Sequence, residues 1–257
     1  TKNPNRRLSM KKIVTIGLIA VMAAVMALSA GCGAKITTVT MKLRLYTAAT
    51  TYDTYEMKLD LYEHLAPDTA KAFKEWVEDG VYDNMVFYKT DLYSSQVMVG
   101  DLKWVDGKLE QIAPHTFADA EFAANGTVGS NLTNVSGSFG LWKNFDREAG
   151  YVSSGHRNTV STIYMPTSTI SAYDGYFCVL GQYSDDEASV DAMTEIKDVL
   201  NGEDVQIYVQ FCRKDSDIVQ FLPEEEFDAI KEDRIDEDTV MKITVPEFMC
   251  YIESMEF

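Results

Sequence analysis

The chain has 257 residues, 46% of them apolar, with 40 acidic against 23 basic side chains and a net charge of −17. That balance argues against a nucleic-acid-binding surface and against adsorption to anionic lipid by charge alone. Four cysteines, none in a Cys-x-x-Cys spacing, show neither a disulfide framework nor a cysteine zinc site.

Residues 1 to 9 are polar and basic. Met10 then opens Lys11-Lys12, an uncharged run from Ile13 to Leu28, and Ser29-Ala30-Gly31-Cys32. A charged start, an apolar stretch shorter than a membrane span and small residues at its end describe a secretory signal. Cysteine directly after Ala-Gly resembles a bacterial lipobox, with Ser29 where leucine is more typical. The expectation is a signal peptide over 1–31, with Met10 as the true start, and a lipidated Cys32 with a tether over 32–38. Such a protein sits on the outer face of a bacterial membrane. Cleavage there removes five basic residues and no acids, taking the charge from −17 to −22.

Residues 39–257 suit one globular domain. VTMKLRLY (39–46) and YEMKLDLY (55–62) alternate as strands across a polar turn at 47–54. Pro67 and Asp68 start a helix with the stripe Ala70, Phe73, Trp76 and Val77, and Gly80 ends it. Val81 to Tyr88 and Gln96 to Val99 read as strands. The region 102–160 is rich in glycine and loops, with strand-like pieces at 138–142, 161–165 and 176–180. A second helix fits 187–200, with Val190, Met193, Ile196, Val199 and Leu200 on one face, and strands fit 204–211 and 248–257. Residues 201–247 form an acidic insertion, expected to face solvent. Many short strands with two substantial helices imply a closed antiparallel β-barrel of about eight strands capped by two helices, a mainly β (α+β) fold.

Other signals are weak. His64, His115 and His156 are scattered through loops, and the acidic segment 213–239 lacks the glycine and alternating oxygen ligands of an EF-hand loop. No metal or cofactor is called for. Asn125, Asn131 and Asn134 match glycosylation acceptors but read as turn residues. Cys178, Cys212 and Cys250 lie in apolar strand-like runs, as buried free thiols do.

In this order the elements resemble a cyclophilin-type peptidyl-prolyl cis-trans isomerase. The likeness is carried by MKLDLYEHLAPDTAKAFKEWVEDGVYDNMVFYK, VMVGD, FADAEF, GSFGLWKN, STIYM and YDGYFCVLGQY, followed by VDAMTEI. It spans about residues 39–200 and the final strand. The resemblance implies a cyclophilin-like barrel that acts on X-Pro bonds of exported polypeptide clients as a monomer. Lys89 then stands where the family's arginine polarises the proline amide. Phe87, Met98, Trp142, Thr162, Ile163, Tyr173 and Phe177 line the proline pocket. Several of these depart from the family pattern. Met98 replaces a glutamine, Val99 a glycine, Thr162 and Ile163 the glutamine and first phenylalanine of a "SQFFI" strand, and Phe177 a histidine.

Rotation about an X-Pro bond faces a barrier of about 18–20 kcal/mol, because the amide is a partial double bond. Lowering it requires a pocket for the ring and a donor aimed at the twisted amide, with no nucleophile. Lysine keeps arginine's charge but not its planar fork. Three readings therefore stay open: a membrane-anchored isomerase with Lys89 as electrophile; a module that binds proline-containing or extended peptides without catalysis; and a structural lipoprotein whose pocket is filled by its own side chains.

Overall fold

The computed structural model describes residues 35–127, 132–143, 158–212, 219–230 and 240–257. The candidate signal and Cys32 lie outside them. The first elements are β1 (Ile36–Ala48), β2 (Thr51–Tyr62), α1 (Pro67–Glu78), β3 (Met85–Thr90), β4 (Gln96–Val105), β5 (Lys108–Gln111) and β6 (Thr116–Phe117). They are followed by β7 (Ser138–Lys143), β8 (Thr159–Pro166), β9 (Cys178–Tyr183), α2 (Glu187–Asn201) and β10 (Val205–Cys212). The chain closes with β11 (Val219–Pro223), α3 (Glu224–Ile230), β12 (Met241–Pro246) and β13 (Cys250–Glu256).

Strands β3, β13, β1, β2, β9, β7, β8 and β4 pair in that order, and β4 returns to β3. Every pairing is antiparallel, so the eight strands close a barrel and leave it no free edge. Alternation decides what fills it. Val39, Met41, Leu43, Met57, Leu59 and Leu61 point inward with Phe87, Val99, Phe139, Ile163 and Leu180. The hairpin turn is tighter than the expected polar segment 47–54. Only Ala49 and Thr50 turn, and Thr51–Thr54 extend β2, because pairing with β1 satisfies their backbone groups while their side chains stay in water.

The helices close the barrel ends. Phe73 of α1 packs its ring on Tyr82 and Phe139, at centroid distances of 5.7 and 5.9 Å. Gly80 takes φ +67°, and its N–H reaches the Val77 carbonyl at 3.1 Å, the left-handed stop that glycine adopts without strain. Asp186 caps α2 by accepting from the Ser189 N–H at 3.1 Å, and Ala192, Met193, Ile196 and Leu200 are buried along its inner face. Among the described residues no helix is long and apolar enough to cross a membrane.

Two expectations change. The region 102–160 is less loop-like at its start. β4 runs to Val105 and returns as β5 through Asp106-Gly107, whose φ values of 49° and 79° are those of a tight hairpin turn. The acidic insertion is also not a solvent-facing excursion where it is described. β10 pairs with β11 and β12, and β12 pairs with β3. Val209 and Phe211 pack under Phe227, while Ile243 and Val245 join the barrel's outer wall. β10, β11 and β12 carry no acidic side chain; among the described residues the acids sit outside them, at Glu203, Asp204 and Glu247 and on α3 (Glu224, Glu225, Glu226 and Asp228), so the segment can be strongly charged and still contribute a buried face.

Candidate functional site

Strand parity sorts the expected pocket residues onto two faces of the wall. On β3, Met85 and Phe87 belong to the barrel interior, whereas Val86 and Tyr88 belong to a separate outer cluster. On β4, Val97 and Val99 point in, and Met98 and Leu102 point out. On β8, Ile163 and Met165 point in and Tyr164 out. Trp142 of β7 and Phe177, just before β9, complete the outer cluster with Ile243, Val245, Met249 and Tyr251.

Of the residues proposed to line a pocket, the structure therefore brings together Met98, Trp142, Tyr173 and Phe177. Their rings interlock: Trp142 lies 4.9 Å from Phe177, and Phe177 lies 4.3 Å from Tyr173. Tyr93, from the β3–β4 loop, covers Trp142 edge-on at 4.8 Å. Phe87 and Ile163 are fully buried on the inner face, part of the barrel's own core. Thr162 is buried, and its hydroxyl donates to Asp101. Lys89 shares the parity of Phe87. It is half-buried, and its ammonium donates to the side-chain oxygen of Asn201 at the end of α2, away from the aromatic cluster.

Several residues of this face escape a motif-based reading. Tyr164 is fully buried and crosses β7 above Gly140, where a Cβ would meet the Cys178 carbonyl at 2.5 Å and the tyrosine ring at 2.8 Å. Its hydroxyl donates to Asn134 at 2.6 Å, and Asn134 in turn donates to Asp174 from its backbone N–H at 2.8 Å and its side chain at 3.0 Å. Tyr88 is likewise buried and donates to the Asp101 carboxylate beside Thr162. Burial pushes the Asp101 carboxyl up, with these two hydroxyls pulling against it. The signal for both tyrosines was available in the alternation around them: residues flanking an inward Phe87 or Ile163 must face outward.

Two buried polar residues have unusual surroundings. Gln96 shares the face of Met98, stands opposite Pro166 on β8, and is 1% exposed, yet neither its amide nitrogen nor its amide oxygen has a hydrogen-bond partner. Leaving one such group unpaired in an interior costs on the order of 1–3 kcal/mol. Lys143, at the end of β7, is 6% exposed and places its ammonium 4.9 Å from the Phe122 ring centroid and 5.8 Å from that of Phe177. No carboxylate pairs with it among the described residues, and burial lowers its pKa. A cation held by ring faces in this way can still donate a hydrogen bond to a neutral acceptor.

The geometry thus defines a closed eight-stranded barrel with an aromatic outer wall between β4 and β9. No family model matches the chain, and no curated protein matches it. It is similar to a solved structure of a cyclophilin-type peptidyl-prolyl cis-trans isomerase of Cryptosporidium parvum. The two are 12% identical, with a TM-score of 0.49 over 86% of this chain and 96% of that one. A second structure of that isomerase, determined in the presence of the dipeptide Ala-Pro, is 14% identical, with a TM-score of 0.40 over 83% and 99% of the two chains. The activity named for those structures is theirs.

Proposed function

We propose that this chain is an exported, lipid-anchored domain of cyclophilin-like design that binds extended, proline-containing segments of other exported polypeptides without isomerising them. One observation carries the reading. The outer wall gathers Trp142, Tyr173 and Phe177, rings suited to a proline side chain, while Lys89 is turned through β3 to Asn201. A twisted X-Pro amide needs a donor on the ring-bearing face, and a missing donor typically costs on the order of 10²–10³ in rate. Anchoring through Cys32 rests on the Ser-Ala-Gly-Cys sequence that ends the apolar run.

A second reading, slow isomerisation, rests on Lys143, the one cation beside Phe177 among the described residues. A protease-coupled proline isomerisation assay on the full chain, beside Lys89→Ala and Lys143→Met, decides between them. The binding reading expects no rate above the uncatalysed one in any of the three, together with saturable binding of a proline peptide. Activity lost in Lys143→Met but kept in Lys89→Ala would establish the isomerase and its cation. Activity lost in Lys89→Ala would overturn the binding reading and make Lys89 the cation that serves the amide, released from Asn201 when substrate binds.

A further inference from the structure

The tether expected over 32–38 is shortened by the fold. β1 already begins at Ile36, and Ile36 and Thr37 pair with Tyr62 and Leu61 of β2. Gly33 and Ala34 alone separate Cys32 from Lys35. Three steps of fully extended chain reach at most about 11 Å. A lipid on Cys32 would therefore hold the Lys35 end of the barrel at the bilayer. β1 is 13 residues long, so its far end, where Ala49 and Thr50 turn, stands roughly 40 Å away along the strand.

The side chains at the Lys35 end suit a lipid surface. Glu63 accepts from Lys35 at 2.7 Å and from Lys74 at 3.1 Å, and Lys74 holds its ammonium 5.6 Å from the Phe257 ring centroid. Lys35 leaves 64% of its side chain in water and Glu63 only 16%. Two cations thus cover one carboxylate, an excess of positive charge on a chain of −17. Glu256, beside Phe257, is paired with Lys42 at 2.5 Å. Ile36, next to Lys35, and Phe257, beside Lys74, are exposed at 54% and 49%. Lysines whose stems border exposed apolar side chains are the composition of an interfacial contact, apolar groups entering between headgroups and ammonium groups staying at phosphate level.

We propose that Lys35, Ile36, Lys74 and Phe257 form a membrane-seating face, which rests on an anionic phospholipid surface and fixes the orientation of the barrel. The assignment depends on the anchoring of Cys32 proposed above. Charge alone would keep so acidic a body off such a surface; the short tether supplies the proximity, and this face supplies the fit.

The test uses the full chain expressed in a bacterial host, with intact mass reporting the lipid on Cys32, and reconstituted on vesicles of brominated phosphatidylcholine with or without an equal part of phosphatidylglycerol. Phe257→Trp and Thr50→Trp each add one indole to the three tryptophans common to both. The indole at 257 is expected to lose emission to the brominated lipid and to shift to the blue, whereas the one at 50 keeps its emission. The loss at 257 should be greater with phosphatidylglycerol present, and adding Lys35→Gln should shrink that difference. Equal quenching at the two positions, or none at either, on protein whose mass includes the lipid would overturn the seating face and leave the anchor standing. A mass without lipid would instead defeat the anchoring reading, and the face with it.

Discussion

Lys143 and Gly140 carry opposite stability consequences although they stand three residues apart on one strand. Lys143 keeps a buried ammonium over two rings without a paired carboxylate among the described residues. Replacing it with methionine removes the desolvated charge and keeps the volume, so Lys143→Met should stabilise the fold by about 1 kcal/mol, a rise of about 2–4 °C in Tm. The sign of its pH dependence follows from its lowered pKa. The folded chain gives up this proton at a lower pH than the unfolded one, whose value is the ordinary 10.5. Below the folded value the penalty is fully present, and it lifts as pH rises toward 10.5. Denaturation of the wild type should show that rise, and Lys143→Met should lack it. Gly140→Ala works the other way. Its Cβ would press on backbone at 2.5 Å and on Tyr164 at 2.8 Å, so a loss of about 1–3 kcal/mol is expected in a urea titration.

Among the elements, β12 decides how the outer wall is completed. It and β13 run along the same edge of β3, with Thr244 opposite Lys89 and Tyr251 opposite Val86. The end of β3 is thereby paired by a strand from the acidic insertion, which also supplies Ile243 and Val245 to the wall. Ile243→Ala should cost about 2–5 kcal/mol, the range for a buried isoleucine truncated within a packed cluster, and chemical denaturation measures it. A loss under about 0.5 kcal/mol would mean that β12 merely lies on the barrel. The same pairing explains why Lys89 is remote from the rings. Its backbone is held between strands, parity turns its side chain inward, and α2 ends close enough for Asn201 to receive it.

On the scale of the whole molecule, acid stability has an identifiable centre where the β1–β2 hairpin meets α1. Burial alone would raise the Glu63 carboxyl, but hydrogen bonds from Lys35, Thr37 and Lys74 outweigh it and hold its pKa at about 2. Its contribution is complete above the ordinary 4.5 and is lost as pH falls toward about 2. Glu63→Gln should flatten the acid limb of a pH–stability curve over that window while leaving the barrel folded at neutral pH. The closed barrel, both capping helices and the Gly80 stop were legible in the sequence, because alternation, helical periodicity and capping are local and each element is at most 15 residues long. Even the face of each strand was there to be read, since Phe87 inward requires Tyr88 outward. What no local pattern could supply was which outward residues meet. Tyr93, Trp142, Tyr164 and Phe177 converge only because β4, β8, β7 and β9 become neighbours in the closed sheet. Lys89 finds Asn201, and the acidic insertion finds β3, across more than a hundred residues of chain. Local propensity determined the elements of this protein; the site was decided by barrel closure, which places side chains distant in sequence within contact distance of one another.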